Sequence, residues 1–478
     1  MTHTHNIYIG IGKFRLALIT MLAFFAFGVL TLRAQNRSTA NEEQQHLKTI
    51  QNINTSLTDK QRQLKEKLES TISSEMERRA TTSRDASGSE GNDKTSAGGP
   101  KLQISLLTCG PGNEVYEYYG HSAIRVLRTD SAGLDLTFNY GVFNFNTSNF
   151  ALKFAMGKTD YMCVGQPTAD FIDSYRACGR YIDEQILNTT QAEAQKIYQA
   201  LMENIKPENC TYRYNFLYDN CATRVRDIIE KNLNSKLQYP ERPTERSFRD
   251  AIHFFCRNAQ WSIFGQDLLL GSEADVPATG RELEFAPLIL EQDMDQTIVM
   301  DQSFMVHNFV LKKQRILDPA PNAVTPGFPV SPSALATILL LAGIALAFWE
   351  IRNKRIVWMV DTALMLVQGV AGIIVTFVFF FSTHPTVGSN WLVWILNPLP
   401  LIGLYWQIKG ARTRHYQQYH IVAAPIIAMF LIFAKAMPQH FGAAIILLAL
   451  LMLVRSVTNI VVWFKIRKTT KPSTTYSR

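Results

Sequence analysis

The stretch YNFLYDNCATRVRDIIEKNL, Tyr214–Leu233, places a cysteine where an amphipathic helix begins. Asp219 and Asn220 are both of the type that caps a helix N-terminus, and Val225, Ile228, Ile229 and Leu233 recur at helical spacing. Cys221 therefore falls in the first turn. There the positive end of the helix dipole and the nearby backbone N–H groups lower a thiol's pKa and can also stabilise an oxyanion. A buried structural cysteine fits the same local pattern, so the choice turns on whether the chain offers a base.

Between residues 101 and 325 there are three histidines, His121, His253 and His307. The early part of this region reads as strands: LQISLLTC, then HSAIRVLRT, then LDLTFNYGVF. His121 opens the second, just after the turn-like YYG, a position from which an imidazole can face a neighbouring helix terminus. His253 lies in the amphipathic RDAIHFFCRN and reads as structural, and His307 stands close to the membrane segments. Asn139, on the strand after His121, can orient the ring through its side-chain amide, or else serves as a buried strand-end residue. Helices follow, notably TQAEAQKIYQALMENI with Thr190 as N-cap, and then the Cys221 helix. Strands first and a cysteine-bearing helix later make an α+β domain.

All six cysteines lie in this outer region, and with Cys221 free an odd number remains. Oxidising surroundings permit disulfides, but their connectivity is not legible from spacing. Cys109, at a strand end before a Gly-rich turn, is the rival nucleophile, although no helix follows it. No CxxC or HxxxH spacing is present, so neither a metal nor a cofactor is expected.

A net charge of +8 with 47% hydrophobic residues suits a membrane protein, and no basic stripe with interleaved aromatics points to nucleic acid. Lys13 and Arg15 precede the apolar run LALITMLAFFAFGVLTL, and small Ala34 just after it is available for cleavage, so residues 1–34 read as a signal peptide or an uncleaved signal anchor. Residues 35–100 are polar, a solvated helix or weak coiled coil followed by a flexible linker. Five further apolar segments, at about 330–349, 356–381, 391–408, 421–434 and 441–464, form an expected all-α transmembrane domain over 326–466, with a tail at 467–478. The connections EIRNKR and KGARTRHYQQYH and the tail are basic, whereas STHPTVGSN and KAMPQH hold a single lysine. The positive-inside rule then puts residues 101–325 outside the cytoplasm. Asp361 and Arg455 lie toward the cytoplasmic half, where they either pair inside the bundle or sit separately near the interface.

The motifs YYGHSAIRV, FNYGVFNFNTSNFALKF, EQILNTT and YRYNFLYDNCATRVRDII, in this order, resemble those of the Lnb-type lipoprotein N-acyltransferase family. The resemblance covers roughly residues 102–300, and the helical tail is also expected of that family. It implies a circularly permuted papain or NlpC-like cysteine-hydrolase fold, in which the catalytic His precedes the catalytic Cys. Transferred residue by residue, Cys221 is the nucleophile, His121 the base and Asn139 the candidate third member.

The implied reaction is ping-pong acyl transfer at the cytoplasmic membrane, with the catalytic domain on its periplasmic side. A phospholipid donates an acyl chain to Cys221, and the α-amine of a diacylglyceryl-cysteine lipoprotein accepts it. Tyr118 and Tyr119 either shape the mouth of the pocket or pack in its wall, and Arg224 and Arg226 either meet phosphate head groups or form salt bridges. Phe143, Phe145, Phe150 and Phe154 either line an acyl-chain groove or fill the core. The alternatives are a membrane-anchored NlpC-like peptidase or amidase of the cell wall, a phospholipase or thioesterase of the same Cys–His type, and a scaffold with a structural cysteine.

Overall fold

The computed structural model describes residues 101–130, 133–143, 150–242, 245–300, 306–321, 328–413 and 418–470. The expected signal run, the polar extension and Phe145 lie outside these residues.

The alternating apolar residues of the first segments build a meander: β1 Leu102–Cys109, β2 His121–Arg128, β3 Asp135–Val142 and β4 Asp160–Pro167. β5 Ile182–Leu187 and β6 Thr211–Arg213 come next. β7 Leu237–Gln238, β8 Ile298–Met300 and β9 Val306–Asn308 form a separate small sheet, and β10 Val310–Leu317 returns to the main one. The main sheet runs β10-β5-β1-β2-β3-β4-β6 with every pair antiparallel. This is the expected α+β domain, with the histidine strand ahead of the cysteine helix in the chain.

The helix Cys221–Lys231 lays Ala222, Val225, Ile228 and Ile229 on one apolar cluster with Ile124, Val126, Phe138 and Tyr140 of the sheet. Each such aliphatic side chain contributes about 1.5–3 kcal/mol when removed from water. The helix Gln191–Asn204 adds Ala194, Ile197 and Leu201 to the same cluster. Thr190 caps that helix, its hydroxyl accepting the Glu193 N–H while the Glu193 carboxylate accepts from the Thr190 N–H.

C-terminal to β10, four segments among the described residues are long and apolar enough to cross a membrane: Pro332–Asn353, Trp358–Phe381, Trp391–Ala411 and Ala443–Arg467. A fifth helix, Gln418–Phe433, is apolar but shorter. The third segment is not one continuous helix: a 3-10 turn at Trp391–Trp394 precedes the helix Leu399–Thr413. Pro398 has no N–H to donate and disfavours helical geometry in Asn397, which accounts for the break.

Of the two readings for Asp361 and Arg455, the structure has the pair, with a third member. Arg455 donates to Asp361 through Nε at 2.7 Å and to Glu350 at 2.6 and 3.0 Å, and all three side chains are buried. The nearly neutral loops face the sheet domain. Thr383 and His384 donate to the backbone oxygens of Met156 and Phe154, Gln439 donates to the Leu270 oxygen, and the His440 N–H donates to Asp275. The helix Gln260–Leu269 joins the two parts, with Phe264 and Leu268 packed on the membrane cluster.

Candidate active site

Register brings His121 and Asn139 together. Ala123 pairs with Asn139 across β2 and β3, so His121, two residues earlier, lies on the same face as Asn139 and diagonal to it. The imidazole Nε2 donates to Asn139 Oδ1 at 2.6 Å, which leaves Nδ1 for Cys221. Tyr175 stacks on the other side of the ring, with centroids 6.3 Å apart and planes 20° apart.

Two glycines make the approach of helix to sheet possible. Gly120, directly before His121, has φ +84°, and a Cβ there would lie 2.7 Å from the Cys109 carbonyl oxygen. Gly141 has φ +90° at the bulge that interrupts β3 between Tyr140 and Val142. Continuing the register, it lies across from His121, and a Cβ there would touch Cys221 Cβ at 3.7 Å and His121 Cε1 at 3.9 Å. The missing side chain leaves room for the first turn of the cysteine helix.

That turn is fixed by Asn220, the residue the fold selects from the two candidate caps. Its Oδ1 accepts the N–H groups of Ala222 at 2.9 Å and Thr223 at 3.0 Å, while its Nδ2 donates to the Phe216 and Phe285 oxygens, both at 2.8 Å. The Cys221 N–H, first in the helix, is engaged by neither bond to Oδ1, so it is available to a developing oxyanion.

The electrostatics follow from this packing. Burial acts to raise the Cys221 pKa, but the charge and hydrogen bond of His121, with the N–H groups of Ser122 and Ala222, outweigh it and lower the thiol below its ordinary value. Burial acts to lower the His121 pKa, and the Cys221 charge with hydrogen bonds to Cys221 and Asn139 outweighs it, so the imidazole rises. Both shifts act in the same direction, toward a thiolate–imidazolium pair, the form in which a cysteine is a nucleophile.

The other candidates find other places. Cys109 is wholly buried, and that burial pushes its thiol up to about 12, against a role as nucleophile. Cys109, Cys163, Cys210, Cys221 and Cys256 form no disulfide. His253 binds Asp267 at 2.9 Å, and Asp267 in turn holds the buried Arg249 at 2.6 Å, so His253 belongs to a structural network. Arg226 is buried against Glu284 at 2.8 Å, the salt-bridge alternative. Arg224 binds Asp219 through two bonds of 2.6 and 2.8 Å and lies over the Tyr212 ring at 3.7 Å. Tyr119 donates to Gln266 Oε1 at 2.8 Å, on the wall formed with Phe255 and Phe285. Phe143 packs on Tyr161 at 4.8 Å, partly buried against the core, while Phe154 is 47% exposed beside His384. Ser122, Gly141 and Tyr212 were not anticipated. Only the glycine in FNYGVF, interrupting a strand pattern, carried a sequence signal.

Comparison with known proteins places both halves. Residues 94–251 match the model of the Lnb N-terminal periplasmic domain, and residues 324–467 match that of the Lnb transmembrane domain. No curated protein and no solved structure is matched. With a periplasmic domain and a membrane domain both matched in this order, the chain belongs to the Lnb-type lipoprotein N-acyltransferase family.

Proposed function

We propose that the protein transfers an acyl chain from a phospholipid, through a thioester on Cys221, to the α-amine of a diacylglyceryl-cysteine lipoprotein at the cytoplasmic membrane. Cys221 is the nucleophile, His121 the base and Asn139 the residue that orients the imidazole. The observation that carries this reading is the position of an activated cysteine beside a membrane domain. The segment leading into Cys221 includes Phe216, whose ring lies 5.5 Å from that of His384 in the loop after the second membrane helix. His384 also contacts Phe154 at 5.5 Å, so the segment leading into Cys221 packs against a loop of the membrane domain, which supports a substrate drawn from the lipid phase.

Attack by the thiolate on the ester carbonyl forms the S–C bond. The imidazolium then gives its proton to the departing glycerol oxygen, releasing a lysophospholipid. In the second half, neutral His121 takes a proton from the attacking amine, the N–C bond forms, and the thiolate leaves. An amine displaces a thiolate readily, which favours a thioester over an oxygen ester as the intermediate.

The test is the mass of a synthetic diacylglyceryl lipopeptide with a free N-terminal cysteine amine, incubated with phospholipid and the full chain in detergent. A gain of one acyl chain on the amine, lost in Cys221→Ala, is the expected result. Lysophospholipid without lipopeptide acylation would point instead to a phospholipase.

A further inference from the structure

The Tyr212 hydroxyl is a polar group at this site that the reaction as written does not use. Tyr212 lies on β6 and is 8% exposed, and its hydroxyl is buried with no hydrogen-bond partner. In the same cluster the Tyr140 hydroxyl accepts a bond from Asn204 Nδ2 at 2.8 Å, whereas the Tyr239 hydroxyl is also buried without a partner, so it is the position of Tyr212 beside the reacting groups that sets it apart. The ring is held from two sides. The Arg224 guanidinium lies 3.7 Å above it, itself fixed by two bonds to Asp219, and Tyr140 meets it edge-on at 6.4 Å.

The hydroxyl is aimed at the reacting groups. A single carbon placed on Gly141 would stand 3.7 Å from Cys221 Cβ, 3.9 Å from His121 Cε1 and 4.0 Å from Tyr212 Oη. These are ordinary contact distances, so the space over Gly141 admits one non-hydrogen atom, bounded by nucleophile, base and phenol. The positive φ of Gly141 keeps larger residues out of it.

Resting on the acyl-transfer reading above, we infer that Tyr212 is a catalytic residue whose hydroxyl donates a hydrogen bond to the acyl carbonyl oxygen as it enters the space over Gly141. When the Cys221 sulfur bonds to the carbonyl carbon, the C=O π pair moves onto that oxygen. The phenol stabilises the charge together with the Cys221 N–H and keeps its own proton. The pair returns as the ester C–O bond breaks and His121 protonates the leaving oxygen. The same donor serves the thioester carbonyl when the amine attacks. Arg224 is a positioning residue, acting through the ring it covers.

The experiment uses the full chain in detergent with phospholipid and the diacylglyceryl lipopeptide, comparing parent and Tyr212→Phe. Lipopeptide acylation gives kcat and KM, and iodoacetamide alkylation of Cys221 in the same preparations reports folding and thiolate content. The expected result is a fall of about 100-fold in kcat, with KM and the alkylation rate each within threefold of the parent. A kcat within threefold of the parent overturns the inference and leaves the acyl-transfer reading standing. A parallel fall in alkylation overturns it too, because the ring then acts through the Cys–His pair or its packing. A parent that acylates no lipopeptide overturns the underlying reading and this inference with it.

Discussion

At the scale of single residues, the proposed reaction rests on a proton held by His121 and given up by Cys221. The lowered thiol and the raised imidazole both favour the ion pair, each held by the charge of the other. Alkylation of Cys221 is expected to begin at a lower pH than that of an ordinary thiol, because His121 favours the thiolate. Removing the cation in His121→Ala should move the alkylation midpoint of Cys221 upward, toward that of a free thiol. A rate–pH profile with iodoacetamide measures this, and an unchanged midpoint would show that His121 does not set the thiolate. Asn139→Ala frees the ring and should lower transfer by about 10–100-fold, with a smaller upward shift of that midpoint. Cys221 and its helix were legible because the cap, the apolar spacing and the cysteine lie within one short stretch. The role of Gly141 was not, since it depends on which atoms a distant helix brings to the bulge.

At the scale of elements, the cap is the joint between stability and chemistry. Asn220 is 3% exposed and makes four bonds to the first turn and to the Phe216 and Phe285 oxygens. Replacing it with alanine should cost about 1–3 kcal/mol, read as a lower thermal midpoint. It should also reduce transfer by more than that loss explains, because Cys221 sits in the turn it fixes. β1, β2, β3 and the Thr190-capped helix could be read from local pattern. β5 and β10 could not, for a physical reason. β5 carries Asp183, Glu184 and Gln185, which look exposed in sequence yet are buried. Their partners come from elsewhere in the fold: Arg315 for Asp183 at 2.5 Å, Arg125 and Gln314 for Glu184 at 3.1 and 2.8 Å, and the Glu291 oxygen for Gln185 at 2.9 Å. Polar residues made safe by long-range partners erase the alternation on which a strand reading depends.

At the scale of the whole molecule, the membrane helices hold a buried charge cluster and present neutral loops to the sheet domain. Asp361 and Arg455 were visible as charges inside apolar runs, whereas Glu350 read as the start of the basic connection EIRNKR. In the fold Glu350 is fully buried and takes two bonds from Arg455. Arg455→Met should therefore destabilise the detergent-solubilised protein by about 3–5 kcal/mol, because two carboxylates lose their counter-ion. Adding Glu350→Gln and Asp361→Asn should restore most of the loss, and a thermal-unfolding series checks both. Basic connections on one side and neutral loops against the sheet domain on the other agree with a periplasmic sheet domain. The central claim is that acyl groups pass through Cys221, and intact mass of the full chain after incubation with phospholipid alone tests it most directly. The account predicts a gain of one acyl chain on Cys221, removed by neutral hydroxylamine or by the lipopeptide amine and missing in Cys221→Ala. An unchanged mass, while the same preparation acylates lipopeptide, would contradict it.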